Sequence, residues 1–169
     1  FVPPTISEES VLRLMVDRFS QVYEDLARRR EPASELDRRQ SVILASIIEK
    51  EAQLDRERPI ISSVFLNRIA GNRPLESCAT VLFVLGKHKS RLLYRDLEIE
   101  STYNTYLHRG LPPGPICSPG RASLEAALFP AQTGYLYFVA RGDGSHVFSR
   151  SLDEHVQAKR RYQNSGPGG

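Results

Sequence analysis

Ser41-Val42-Ile43-Leu44-Ala45-Ser46-Ile47-Ile48-Glu49-Lys50-Glu51-Ala52 reads as an apolar helix that runs into two acids. Side chains at i, i+3, i+4 and i+7 share one helix face. Glu51 therefore falls on the face of Leu44, Ile47 and Ile48, the face that has to be buried. Glu49 sits about 200° further round at 100° per residue, beside Ala45, Ser46 and Gln53, and is expected to point to water. An apolar setting disfavours the charged form of a carboxyl group and raises its pKa. A Glu kept protonated near neutral pH can act as a general acid. The same pattern fits a structural acid paired with an arginine such as Arg58 or Arg68, so spacing alone leaves both readings open.

Working outward, this helix is expected over about 34–55. A long amphipathic helix is expected before it, over 7–29, with Ser7-Glu8-Glu9 as cap and acidic first turn. Arg28-Arg29-Arg30 suits its C-terminal end, where cations offset the helix dipole. A third helix is expected over 58–70, with Pro59 in its first turn and Gly71 after it. A short helix is expected over 79–86 and another over 123–128, ended by Pro130. Tyr135–Arg141 and His146–Arg150 read as strands joined at Gly142-Asp143-Gly144, a hairpin signal. A last helix is expected over 151–163, where Ser151 and Glu154 have capping-box spacing. Residues 100–120 are rich in Pro and Gly and follow neither period. A loop this long in a compact domain is usually functional or disordered, and its tyrosine anchors and rigid prolines argue against disorder. The fold class is α+β: helix-rich, with a small antiparallel hairpin.

Composition narrows the function classes. Eleven Gly and eleven Pro among 169 residues match the ordinary share of about 12%, which excludes collagen-like and low-complexity chains. The net charge is +3, and both signs are interspersed along the chain, so no nucleic-acid footprint is present. No apolar run reaches the roughly 18–20 residues of a membrane span. Two cysteines, and four histidines (His88, His108, His146, His155) without ligand spacing, give no support to a metal site. No cofactor is indicated. The opening Phe1-Val2-Pro3-Pro4 lacks a Met and reads as cut from a longer protein, and residues 164–169 read as a flexible tail.

Ser77, Thr80, Tyr103, Asn104, Thr105 and Tyr106 add hydroxyls, an amide and aromatic faces. Sugar binding needs that mixture, with rings stacked on aromatics and directional hydrogen bonds to hydroxyls. Core packing of the loop is expected for at least one of the two tyrosines.

Several segments then acquire a joint meaning. They are Leu44–Ala52, Glu57-Arg58, Val64-Phe65-Leu66-Asn67-Arg68, Tyr103-Asn104-Thr105-Tyr106, Gly110–Ile116, Pro119-Gly120, Tyr137–Ala140 and Gly142–Ser149. In this order, over about residues 1–162, they resemble the YceG-like endolytic murein transglycosylase family. The resemblance implies a bacterial lyase that cuts peptidoglycan glycan strands internally, between N-acetylmuramic acid and N-acetylglucosamine. The cut is non-hydrolytic and leaves 1,6-anhydro-muramic ends. It further implies an enzyme held in the inner membrane by one N-terminal helix, with its catalytic domain in the periplasm or outside the cell and a LysM-like subdomain before it. Residues 1–163 would be the catalytic domain, with the anchor and most of that subdomain absent. Glycan strands are the implied partner, with peptidoglycan synthases as neighbours.

The family's catalytic acid is the second Glu of its Glu-Lys-Glu motif, which maps to Glu51. Ser77, Thr80, Tyr103, Asn104, Tyr106 and His146 are the candidate substrate-binding residues, with Asn104 or Tyr103 as dipoles near the developing charge. For His146 and His155 a local hydrogen-bonding role fits equally, and Asp143 is read as a turn former. Where many members have Asp-Pro-Thr, this chain has Cys78-Ala79-Thr80. Cys117 lies in the loop expected to line the same cleft. A disulfide between Cys78 and Cys117, worth about 4 kcal/mol in an oxidising compartment, and two free buried thiols both fit. Two rival functions stay open: a hydrolase using Glu57 or Asp143 to activate water, and a silent glycan-binding or scaffolding domain.

Overall fold

Capping decides where the acid-bearing helix begins. In the computed structural model, which describes residues 6–29, 34–87, 89 and 92–163, helix α2 spans Arg38–Glu51. Asp37 accepts from the Gln40 amide at 2.8 Å, and the Gln40 side chain accepts from the Asp37 amide at 3.0 Å. This closed capping box starts the helix four residues later than the sequence period suggests. It ends at Glu51 rather than near 55, and Asp55–Glu57 form a 3-10 turn. Phe1 to Pro4, Arg30, His88 and the tail 164–169 lie outside the described residues.

Helix α1 (Glu8–Ala27) has the expected Ser7 cap, whose hydroxyl accepts from the Ser10 amide at 3.2 Å. The chain forms two compact units, Phe1–Ala33 and Ser34–Gly169. In the second unit α2 packs on α3 (Arg58–Ala70), on α4 (Cys78–Leu85) and most extensively on α6 (Arg121–Leu128). Leu44, Ile47, Ile48, Ile61, Val64, Phe65, Val81 and Leu124 are buried there. Burying a side chain of this size contributes about 1.5–3 kcal/mol. Ser41 and Ser46 are fully buried on α2 without orphaned hydroxyls. Each donates back to its own helix, to Asp37 O and Ile43 O, and Ser46 also accepts from the Ile116 amide at 3.0 Å. That last bond pins the Pro/Gly loop to α2.

Glu49 does not point to water. It accepts from the Gly120 amide at 3.1 Å and from Ser123 Oγ at 2.6 Å, with Arg58 Nη1 at 3.6 Å, so it fastens α2 to the start of α6. Burial pushes its pKa up, but the Ser123 and Gly120 bonds and the Arg58 charge outweigh this and hold it below the usual carboxylate value.

Strands β1 (Tyr137–Ala140) and β2 (His146–Ser149) pair antiparallel, with Phe138 opposite Phe148 and Ala140 opposite His146. The turn uses Gly142 and Gly144, at φ +93° and +87°, a region that favours glycine. One face of the hairpin sets Phe138 edge-on to Phe65 of α3 at 5.7 Å. On the other face Tyr137 stacks on His155 of α7 (Leu152–Gln163) at 5.1 Å. The capping box at α7 is present: Ser151 Oγ accepts from the Glu154 amide at 3.2 Å, and Glu154 accepts from the Ser151 amide at 3.4 Å. A single-turn helix, α5 (Tyr94–Leu97), precedes the long loop and was not expected from the sequence. Among the described residues, no helix is long and apolar enough to cross a membrane.

Candidate active site

Glu51 is the last residue of α2, followed by Ala52 in extended conformation. Its side chain lies at the floor of a cavity of about 330 Å³, ringed by Arg68, Cys78, Tyr106, Tyr137, His146 and Lys159 among others. A second cavity of about 700 Å³ adjoins it, lined by Lys50, Ala79, Leu82, Phe83, Lys87 and Ile116 among others. Glu51 and Cys78 line both, so the acid stands where the two cavities meet.

One oxygen of Glu51 is held. Ser77 Oγ donates to Oε1 at 2.5 Å, and the Ala79 amide, at the start of α4, lies 3.4 Å away. Ser77 is itself fixed from behind: its amide donates to Thr105 Oγ1 at 3.0 Å, and its carbonyl accepts from Thr80 Oγ1 at 2.8 Å. Glu76, just before it, adopts φ +53°, a strained conformation for a residue with a side chain. That conformation is held by a bond from its amide to Thr105 O at 3.0 Å and by an ion pair with Arg68 at 2.5 Å. The other oxygen, Oε2, takes no hydrogen bond among the described residues.

No arginine or lysine pairs with Glu51 among the described residues. Arg58 serves Asp55 and Ser123, and Arg68 serves Glu76, Pro74 O and Leu136 O. The structural-pair reading of Glu51 therefore lapses. Burial raises its pKa; the bonds from Ser77 and Ala79 and the nearby His146 only partly offset this. Its position at the negative end of the α2 dipole acts in the same direction as burial.

Because the folded-state pKa lies above the unfolded value, the stability contributed by Glu51 is complete below about pH 4 and is lost as pH rises through the folded pKa. Glu51→Gln has no proton to lose. Thermal melts should show this variant gaining on the parent as pH rises from about 4, then keeping a constant lead above the folded pKa. Equal melting temperatures across that range would contradict the raised pKa.

The candidate residues separate into two groups. Ser77, Tyr106 and His146 meet Glu51 at the cleft. Thr80 and Asn104 do not reach it: both are fully buried. Asn104 Nδ2 donates to Leu97 O and Ile99 O at 2.9 and 2.8 Å, and its Oδ1 accepts from the Tyr106 amide, so it organises the loop rather than binding a ligand. Tyr103 packs on Phe83 at 5.0 Å and does not line either cavity. Its hydroxyl lies so close to Gly114 that a Cβ there would meet it at 2.7 Å. Thus neither Asn104 nor Tyr103 is placed to stabilise charge beside Glu51.

The disulfide is not formed. Cys78 Sγ lies 3.1 Å from the Tyr106 hydroxyl, while Cys117 Sγ donates to Ser46 O at 3.3 Å, and both are free thiols. Burial pushes both thiols up, and pushes the Tyr106 phenol up as well. Asp143 bonds Ser145 in the exposed hairpin turn, which fits a turn former. Glu57 is consumed by His146, its Oε2 lying 2.7 Å from Nδ1. Sequence reasoning named Arg68 only as a structural partner of Glu51 and missed Tyr137 and Lys159 as cleft residues, because their separation along the chain gives no local signal.

Comparison with known proteins identifies the family. The YceG-like family model matches residues 1–161. The endolytic murein transglycosylase of Bacillus subtilis (strain 168) is 42% identical over 165 residues, which cover 98% of this chain and 46% of that protein. The protein of the same name from Streptococcus pneumoniae serotype 2 is 29% identical over 164 residues, covering 89% of this chain and 29% of that protein. A crystal structure of a YceG-like protein from Listeria monocytogenes superposes with a TM-score of 0.79 at 40% identity, over 93% of this chain and 50% of that one. The chain thus spans half or less of the length of these relatives. With the family match running from the first helix into the last, and with a solved fold of the same kind, the chain belongs to the YceG-like family.

Proposed function

We propose that this chain is the catalytic part of a peptidoglycan lytic transglycosylase that cuts glycan strands internally, with Glu51 as acid and then base. The observation that carries the reading is a buried acid without a cationic partner among the described residues, its Oε2 free of hydrogen bonds, where two cavities share it as a lining residue. A cleft made of two cavities that meet at the acid suits the middle of a polymer. The only other carboxylate lining it among the described residues, Glu76, is held by Arg68. Most hydrolytic glycosidases use a second carboxylate as nucleophile or water activator. Here Glu57 and Asp143 are both engaged elsewhere, which supports a reaction that uses one acid.

In that reaction Glu51 gives its proton to the glycosidic oxygen as the bond from C1 breaks. The 6-hydroxyl oxygen of the same muramic residue then bonds to C1, and its proton passes to Glu51. An attacker within the same sugar, held in place, can reach an effective molarity of order 10⁵ M or more, so water is not needed. Lys50, Lys87 and Lys159 line the two cavities without an ion-pair partner among the described residues, which suits a strand carrying carboxylates. The family resemblance supports action outside the cytoplasmic membrane, anchorage through a segment not in this chain, and peptidoglycan synthases as neighbours.

Mass spectrometry of uncrosslinked strands incubated with the chain tests the reading. Internal fragments with 1,6-anhydro ends are expected. Reducing ends, heavier by one water, would assign a hydrolase. Ser77→Ala should lower kcat about tenfold, since a hydrogen bond to a carboxylate is worth about 1.5–3 kcal/mol. It also removes a bond that favours the charged form, so the basic limb of the kcat/KM profile should move to higher pH. An unmoved limb would separate Ser77 from Glu51.

A further inference from the structure

The buried titratable pair that this chemistry leaves unused is Glu57 and His146. Glu57 closes the 3-10 turn before α3, and His146 opens β2. Glu57 Oε2 lies 2.7 Å from His146 Nδ1, and Oε1 accepts from the His146 amide at 3.3 Å. One carboxylate thus grips both the ring and the backbone of one residue. The His146 and Glu57 side chains are 8% and 9% exposed. Since a carboxylate only accepts, Nδ1 carries the hydrogen of this bond. Phe138 stands edge-on to the ring at 5.4 Å, and Phe148 lies 6.2 Å away, so the imidazole is also held by packing. Stability is a weak reason for such a pair, because apolar replacements of buried ion pairs are often neutral or stabilising.

Resting on the reading of Glu51 as proton donor, we propose that Glu57 and His146 are a positioning pair for Glu51. Glu57 locks the imidazole, and the imidazole is the polar neighbour that favours the carboxylate Glu51 becomes once its proton has gone to the glycosidic oxygen. His146 and Glu51 line the same cavity. The other groups facing Glu51 are Ser77, the Ala79 amide and the Cys78 thiol from the α4 side, and the Tyr106 phenol from the loop. Arg68 with its partner Glu76, Tyr137, His155 and Lys159 line the first cavity from α3, the segment before α4, β1 and α7, Lys87 lines the second, and Lys50 neighbours Glu51 on α2. Burial dominates the proton affinity of Glu51, and His146 acts against it together with Ser77 and Ala79. The proton that leaves Glu51 is replaced by the one from the 6-hydroxyl.

Carbon-detected NMR titration of the Glu51 carboxyl group tests the pair without turnover, so an inactive chain would count against the proposed function and not against this inference. In His146→Gln the midpoint should rise by about one unit, and in Glu57→Gln by less. The double variant should move no further than His146→Gln, because Glu57 acts through the ring. The basic limb of kcat/KM should follow, with KM within about twofold of the parent. Should Glu57→Gln not fold, Glu57→Asp, which draws the carboxylate back by one methylene, should give a smaller rise in the same direction. An unmoved Glu51 midpoint in His146→Gln and the Glu57 variant, with only the melting temperature lowered, would overturn the proposal and leave the pair structural.

Discussion

Glu51→Gln should abolish strand cleavage, with kcat falling by about 10⁴-fold or to background. General acid–base catalysis by one group contributes about 10²–10⁴, and here a single group serves both proton transfers, so the upper end applies. The amide cannot give up a proton to the leaving oxygen and cannot accept one from the 6-hydroxyl. It can still accept the bond from Ser77 Oγ through Oε1, so the local geometry survives. Binding should therefore persist, with KM close to the parent value, and the fold should be retained or strengthened at neutral pH. Rate measurements on defined strands would separate the two quantities. A variant that kept kcat and lost only KM would move Glu51 from chemistry to binding.

Arg68→Met should cost about 3 kcal/mol of stability, because losing one partner of a buried charged network costs about 3–5 kcal/mol. The lower end applies because Glu76 is 45% exposed and can be rehydrated. Arg68, only 6% exposed, ties three segments together. Its Nε donates to Pro74 O at 2.7 Å, its Nη1 to Leu136 O at 3.0 Å, and its Nη2 to Glu76. Its guanidinium also lies over the Tyr137 ring at 5.4 Å. Thermal unfolding should show a drop of about 10 °C for a chain of this size. Activity should fall as well, since the strained Glu76 that aims Ser77 at Glu51 loses its anchor. Arg68→Lys should recover little, as a point charge cannot reproduce a planar three-way fork. A melting temperature within a degree or two of the parent would show that the hairpin and the Pro74–Glu76 segment hold together without it.

The sequence carried the helices and the hairpin because both have periods. Leu44, Ile47, Ile48 and Glu51 sit on one face at helical spacing, and the glycines at 142 and 144 mark a turn that needs positive φ. The start of α2 was misplaced because a capping box at Asp37 and Gln40 is a local signal weaker than the apolar run behind it. Helix α5 is a single turn and has no period to read. Within the site, Glu51 was legible and its neighbours only partly so. A residue type in an aperiodic loop says what a side chain can bond, not which way it points. Asn104 and Thr80 therefore looked like ligand contacts and are buried supports. Glu49 looked solvent-facing because its partners Gly120 and Ser123 come from a distant helix start. Glu57 with His146, and Arg68 with Leu136, are likewise joined only by the tertiary fold.

Cleavage of glycan strands in heavy-oxygen water tests the central claim most directly, since it asks whether water attacks C1. If the 6-hydroxyl of the substrate is the attacker and Glu51 handles its proton, the new ends made by the parent chain carry no heavy oxygen and are 1,6-anhydro sugars. One heavy oxygen at each new end would contradict the account, because a second activating group would then have to exist in the cleft.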